Sequence, residues 1–116
     1  MSRDPEGRLE DIRDACIKIR RWTETLTFEQ FVEDERTFDA VLRNLEIIGE
    51  AVEHLPEELR QRHPEIPWRN MAGLRDVVIH GYFGVDPEII WDVVHHHLRP
   101  LQAVVEQMLD HGDFRE

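Results

Sequence analysis

Residues 34–54 read DERTFDAVLRNLEIIGEAVEH, and this stretch decides the fold class. Its apolar residues recur every three or four positions, which is the spacing of one buried face of an α-helix. Asp34 is the predicted N-cap, and the helix is expected to continue to about residue 54. The predicted buried face consists of Phe38, Val41, Leu42, Leu45, Ile48, Gly49 and Val52.

The same helical periodicity extends to both sides of this stretch. A first amphipathic helix is predicted over residues 8–24, and Thr27 with Gln30 forms the capping-box pattern of a short second helix. Further helices are predicted over Pro56–Arg62, from Trp68 to a stop at Gly81, and from the cap Asp86 towards the end of the chain.

No stretch alternates with a period of two, so we predict an all-α bundle of four to five helices, without a sheet. Pro100 lies inside the last predicted helix and should kink it. With 116 residues, the chain is expected to form one domain over residues 1–116. About six residues at its end are expected to fray.

Composition limits the classes of function. The chain carries 25 acidic against 14 basic residues and a formal net charge of -11, which argues against general nucleic-acid binding. Any such activity needs a local basic site or a groove formed on assembly. The start of the chain lacks an apolar signal core, no apolar run approaches a membrane span, and Cys16 has no second cysteine to pair with. We therefore expect a cytoplasmic protein without membrane contact.

Residues 75–82, RDVVIHGY, carry the candidate chemistry. Arginine can hold a phosphate, and histidine can transfer a proton near neutral pH. Arg75 and His80 lie five residues apart, about 140° around an ideal helix, so they do not share a face. They could meet because the helix breaks at Gly81, or because two chains pair symmetrically. Asp76 is four residues from His80 and could orient its imidazole.

Such a site suits RNA cleavage without a metal. A base would take the proton of the ribose 2′-hydroxyl, which attacks the adjacent phosphorus, and arginine would neutralise the added negative charge. Judged by spacing alone, the simpler interpretation is a surface Arg–Asp pair beside a helix-end histidine.

Two other clusters of polar residues are candidates for a function. Residues 95–97 are three consecutive histidines, which point about 100° apart on a helix and cannot converge on one ion, so no metal site is predicted. Arg43, Glu46 and Glu50 form a polar line on the helix of residues 34–54. This line is either a buried network that positions Arg75 or a solvated face with local ion pairs.

Several ordered blocks resemble the HepT-like proteins of the HEPN superfamily. They are residues 43–51 (RNLEIIGEA), 64–68 (PEIPW), 73–83 (GLRDVVIHGYF) and 89–91 (IIW). The resemblance implies a helical-bundle homodimer that is the ribonuclease toxin of a type II toxin–antitoxin system and needs no cofactor. It also implies that Arg75 and His80 form an Arg-x4-His site at the dimer interface.

The resemblance further implies that a nucleotidyltransferase antitoxin transfers AMP to Tyr82 and silences the toxin. An added phosphate and adenosine beside the site would block RNA and occupy Arg75. From the residues alone, Tyr82 could equally be a packed aromatic side chain. The alternative for the whole protein is a non-catalytic dimeric interaction module that binds a nucleotidyltransferase.

Overall fold

The computed structural model describes residues 4–80 and 84–114, without the side chains of residues 79 and 80. The described residues form helices and connecting turns only, which confirms the predicted all-α fold. Eight helical segments follow one another along the described chain: α1 (Pro5–Thr23), α2 (Phe28–Glu33), α3 (Glu35–Glu53), α4 (Glu57–Gln61), α5 (Trp68–Ala72), α6 (Leu74–His80), α7 (Pro87–His96) and α8 (Leu98–His111).

The N-terminal caps follow the predicted chemistry. The Asp34 carboxylate accepts from the Thr37 N–H at 3.1 Å and begins α3. Thr27 and Gln30 form both bonds of the capping box of α2, at 3.1 and 3.0 Å. Asp86 accepts from the Glu88 N–H at 2.9 Å and begins α7, with Pro87 in its first turn. These side chains satisfy N–H groups that a helix start leaves unpaired.

Helix α3 is the centre of the bundle. Helices α1, α2, α5 and α6 all pack against it, and α8 packs against α1. The short α2 reverses the chain between α1 and α3. The resulting core is made of aliphatic side chains, with Phe31 and the free Cys16 also fully buried. Burial of this apolar surface is the main stabilising contribution to such a fold.

Two predicted helices are divided in the structure. The helix expected to continue from Trp68 to Gly81 is interrupted at Gly73, so α5 and α6 are separate segments. The interruption falls at a residue of low helix propensity. The last helix is interrupted at His97, three residues before Pro100. Proline has no N–H for the carbonyl four residues earlier, and it lies instead in the first turn of α8, where this bond is not needed.

The end of α8 has a defined geometry. Gly112 adopts the left-handed conformation at φ 65°, and the Asp113 N–H reaches back to the Met108 carbonyl at 3.0 Å, as in a Schellman cap. The Arg62 guanidinium donates to the Asp113 carbonyl at 3.1 Å. These contacts join the end of α8 to α4, and the fraying of about the last six residues stays a prediction. None of the described helices has the length and apolar character needed to cross a bilayer.

Candidate functional site

Helix α6 carries the predicted catalytic pair at its two ends. Arg75 is its second residue and His80 its last. Asp76 is exposed and lies next to Arg75, while the buried Val78 fixes the opposite side of the helix to the core. Within a helix of only seven residues, the polar pair Arg75 and Asp76 is thus followed two residues on by Val78, which packs into the core.

A close contact with α3 sets the position of Arg75. A Cβ atom built on Gly49 would lie 2.7 Å from the Arg75 backbone nitrogen and 3.1 Å from the Ala72 carbonyl oxygen. Only glycine leaves room for α6 to approach α3 this closely. The backbone of Arg75 is therefore held against the central helix of the bundle.

The Arg75 side chain extends along α3 towards Glu53. Its guanidinium lies 3.4 Å from the Glu53 carboxylate, and the two side chains are 41% and 55% exposed. Charge-assisted hydrogen bonds are usually 2.7–2.9 Å long, so this contact is loose and largely solvated. Glu53 was not among the residues predicted from sequence, although it lies on the same helix as the predicted polar line.

The predicted polar line of α3 does not reach Arg75 in the described structure. Arg43 pairs with Glu46 at 3.4 Å on the surface, where Arg43 is 67% exposed. Glu50 is exposed, and its backbone carbonyl accepts from the His54 imidazole at 2.8 Å. The geometry of Arg43 and Glu46 matches the second of the two alternatives, a solvated face with a local ion pair. The contact to Arg75 comes from Glu53 instead, one turn beyond Glu50.

The remaining predicted site atoms lie outside what the structure describes. His80 is placed by its backbone alone, and Tyr82 is among the residues outside the described ranges. The convergence of Arg75 with His80, the orientation of His80 by Asp76 and the role of Tyr82 stay predictions.

The three histidines at residues 95–97 contact residues that precede them by four or five positions on the same stretch of chain. His96 donates to the Asp92 carboxylate at 2.8 Å, and His97 lies 3.6 Å from the same carboxylate. His95 donates from Nδ1 to the Trp91 carbonyl at 3.0 Å, with its ring against the Trp91 indole. Among the side chains that the structure describes, which exclude that of His80, no three from His, Cys, Asp or Glu are arranged to hold a metal ion.

The structure also forms a groove that the sequence analysis missed. It lies between the end of α1 and the start of α8, has a volume of about 470 Å³, and is lined in part by Arg20, Arg21 and Arg99. Arg20 and Arg99 are almost eighty residues apart in sequence. Their proximity follows from the packing of α1 on α8, and no local sequence pattern signals it.

Comparison with known proteins adds independent evidence. The family model described as "Ribonuclease HepT-like" matches residues 12–108, which include Gly49, Arg75 and His80. A protein of Thermococcus cleftensis named "Probable ribonuclease HepT" is 44% identical over 108 residues, covering 93% of this chain and 98% of the relative.

Two further relatives show similar agreement. "Putative RNase MJ0127" of Methanocaldococcus jannaschii is 47% identical over 79% of this chain and 76% of its own length. "Putative RNase TTE0752" of Caldanaerobacter subterraneus is 41% identical over 90% of this chain and 94% of its own. No solved structure gives a significant match. The match of the family model over most of the bundle shows that this chain belongs to the ribonuclease HepT-like family.

Proposed function

We propose that this protein is a metal-independent endoribonuclease and the toxin of a type II toxin–antitoxin system. Membership of the HepT-like family, with relatives named as ribonucleases, supports the reaction class. The observation that carries the site is Arg75, whose backbone is fixed against Gly49 while its guanidinium stays half-exposed. A rigid support with an accessible cation is what phosphate recognition requires.

The proposed reaction is an internal transfer at phosphorus. His80 removes the proton of the ribose 2′-hydroxyl, and the oxygen attacks the adjacent phosphorus. The bond from phosphorus to the 5′-oxygen of the next nucleotide breaks, and that oxygen takes up a proton. The products are a 2′,3′-cyclic phosphate and a free 5′-hydroxyl. Arg75 stabilises the additional charge on the phosphorane-like transition state.

Two copies of the chain would form the working site. Arg75 and His80 lie at opposite ends of α6 and about 140° apart around its axis. A homodimer that brings the α6 helices of two copies together would place both residue types around one cleft. Asp76 would then orient His80 from the same helix.

The first experiment measures cleavage of mixed single-stranded RNA by the purified protein in the presence of a chelator. We expect cutting by the wild type and losses of at least about 10²-fold in His80→Ala and Arg75→Ala. His111→Ala and Arg69→Ala are matched controls, because both residues are exposed on other helices. Equal cutting by His80→Ala and wild type, or cutting that requires a divalent ion, would refute the proposal.

Glu53 allows a test of whether Arg75 is the phosphate ligand. Glu53→Gln removes a competing carboxylate 3.4 Å from the guanidinium. We expect a lower KM for RNA, with a change in unfolding free energy below about 0.5 kcal/mol because the pair is exposed. A raised KM would show that Glu53 assists Arg75 rather than competing with RNA for it.

The proposed regulator is a nucleotidyltransferase antitoxin that transfers AMP to Tyr82. This residue is the single tyrosine of the chain, so Tyr82→Phe removes every tyrosine hydroxyl. We expect the protein to gain the mass of AMP when it is co-expressed with the nucleotidyltransferase, and Tyr82→Phe to gain none. If the mass of the wild type does not change under these conditions, the proposed transfer of AMP to Tyr82 is wrong. If the protein neither cleaves RNA nor inhibits growth but forms a stable complex with the nucleotidyltransferase, the alternative of a non-catalytic interaction module is correct.

A further inference from the structure

The groove between α1 and α8 has features of a second binding site, distinct from α6. The residues that line it include the apolar Ile17 and Val94 and the basic Arg20, Arg21 and Arg99. We refer to it as the α1–α8 groove. Its volume of about 470 Å³ falls within the range of ligand-binding clefts.

Within the part of the chain that the structure describes, the three arginines of the groove lack the carboxylate partner that several arginines of this acidic chain have. Arg13, Arg43 and Arg75 each lie within 4.0 Å of a carboxylate. Within residues 4–80 and 84–114, none of the three groove arginines has such an ion pair. Three cations without a described carboxylate within 4.0 Å thus share one cleft of a protein whose formal net charge is -11. Guanidinium forks are suited to bidentate contacts with phosphate oxygens.

One of these cations is held in place. The Arg20 guanidinium donates to the Gln102 amide oxygen at 2.7 Å, and the Gln102 amide nitrogen donates to the Glu106 carboxylate at 2.7 Å. The contact fixes the side chain but uses only one of its five N–H groups and leaves its charge unneutralised. A positioned cation of this kind loses little conformational entropy when it binds an anion.

The groove lies at the opposite end of the bundle from the proposed catalytic residue. Arg75 contacts Glu53, the last residue of α3, whereas the end of α1 leads through α2 directly into the first residue of α3. Helix α3 has 19 residues, which corresponds to about 28 Å at 1.5 Å per residue. A ligand that uses both places must be a chain of several nucleotides.

We propose that the α1–α8 groove binds the phosphodiester backbone of the single-stranded RNA substrate, away from the cleavage site. The inference rests on the proposed ribonuclease function. It favours the backbone over a mononucleotide because the lining offers little aromatic surface for a base. Among the described residues that line the groove, His95 supplies the only ring, and it packs against Trp91 at a centroid distance of 4.0 Å. The groove also supplies the local basic site that an acidic RNA-binding protein needs.

The test uses the full chain and a fluorescently labelled 2′-O-methyl oligoribonucleotide, which lacks the attacking hydroxyl and cannot be cut. Binding is measured by anisotropy over a range of salt concentrations. Arg21→Gln/Arg99→Gln should weaken binding by at least about tenfold and make the plot of log K against log[salt] shallower by about 1.4, at about 0.7 for each lost phosphate contact. Both side chains are exposed, so the fold should be retained.

Arg36→Gln/Arg69→Gln is the matched control, since it removes the same charge from exposed positions outside the groove. If both double variants lose affinity equally, the effect is one of net charge and the proposal is wrong. If AMP or inorganic phosphate displaces the oligonucleotide at a similar concentration to unlabelled RNA, the groove holds a small anion and the RNA assignment is wrong.

Glu24 gives a test in the opposite direction. Its carboxylate is the one acidic group among the described residues that line the groove, and it should repel phosphate. Glu24→Gln should therefore tighten binding of the oligonucleotide about threefold or more, whereas Glu58→Gln, on α4, should change it little. Weaker or unchanged binding by Glu24→Gln would argue against phosphate in the groove.

The binding assay and the cleavage assay can fail separately. Binding that depends on Arg21 and Arg99, without cleavage of ordinary RNA, would support the groove and refute the proposed ribonuclease function. Cleavage that depends on His80, with RNA binding unaffected by Arg21→Gln/Arg99→Gln, would refute the groove alone.

Discussion

Substituting Gly49 by alanine should destabilise the bundle and displace Arg75. The new Cβ would lie 2.7 Å from the Arg75 nitrogen, 0.7 Å inside the 3.4 Å at which ordinary contacts begin. The neighbours are backbone atoms and a Cβ, none of which can rotate away. Helix α6 must therefore move away from α3 by several tenths of an ångström.

The expected magnitude follows from two opposing contributions. Overpacking of a well-packed interior costs about 1–3 kcal/mol, while alanine in place of glycine inside a helix gains about 0.5–1 kcal/mol. The net loss in unfolding free energy should be about 1–2 kcal/mol, which lowers Tm by roughly 3–10 °C in a domain of this size. Because misplacing a catalytic group by about 1 Å can cost ~10²-fold, RNA cleavage should fall at least tenfold at temperatures where the variant is folded.

Thermal and urea denaturation followed by circular dichroism measure the stability, and cleavage is assayed separately. Gly73→Ala is the matched control. Its Cβ would meet only the carbonyl oxygens of Arg69 and Asn70, both at 3.4 Å, and its φ of -66° suits alanine. We expect Gly73→Ala to be as stable as the wild type or more so. A Gly49→Ala variant of wild-type stability would show that α6 is not held against α3 as described.

Three further outcomes are expected. Trp68→Phe should cost about 1 kcal/mol in urea denaturation, because it removes the bond that the indole N–H donates to the His63 carbonyl at 2.8 Å and leaves that carbonyl only the weaker bond from the Ile66 N–H at 3.2 Å. The pKa of Asp34 is lowered by hydrogen bonds from the Thr37 N–H and hydroxyl, so its stabilising contribution is present at neutral pH and lost as the pH falls through that lowered pKa. The difference in Tm between wild type and Asp34→Ala should therefore vanish in acid. A difference that persists in acid would contradict this. Burial raises the pKa of the Cys16 thiol to about 12, so an aromatic disulfide reagent at pH 8 should label it only after unfolding.

Most of the fold could be predicted because its signals are local. The caps at Thr27, Asp34 and Asp86 have side chains that bond the backbone two or three residues on, and the sequence shows both partners. The breaks at Gly73 and His97 were missed because each divides a run with continuous helical periodicity. Whether such a run remains one helix depends on tertiary packing, and the spacing of its apolar residues gives no information about that packing.

The sequence indicates only those candidate site residues that are close together in the chain. The motif at residues 75–80 lies within one helix, and its spacing and its resemblance to a family make it a candidate. The Glu53 contact joins residues 22 positions apart, and the Arg20–Gln102 bond joins residues 82 apart. No sequence periodicity connects such pairs, because the packing of α6 on α3 and of α8 on α1 determines them.

The stacking of Trp91 on His95 gives the unlabelled protein an optical gauge of the α1–α8 groove. The ring centroids are 4.0 Å apart, so the surroundings of the Trp91 indole include the His95 ring. A ligand that displaces His95 would change these surroundings and with them the emission of Trp91. Once the exposed Trp22 is replaced by phenylalanine, Trp68, buried and hydrogen-bonded elsewhere, supplies a constant reference signal. Occupancy of the groove could thus be followed in real time by intrinsic emission, during turnover and without any attached dye.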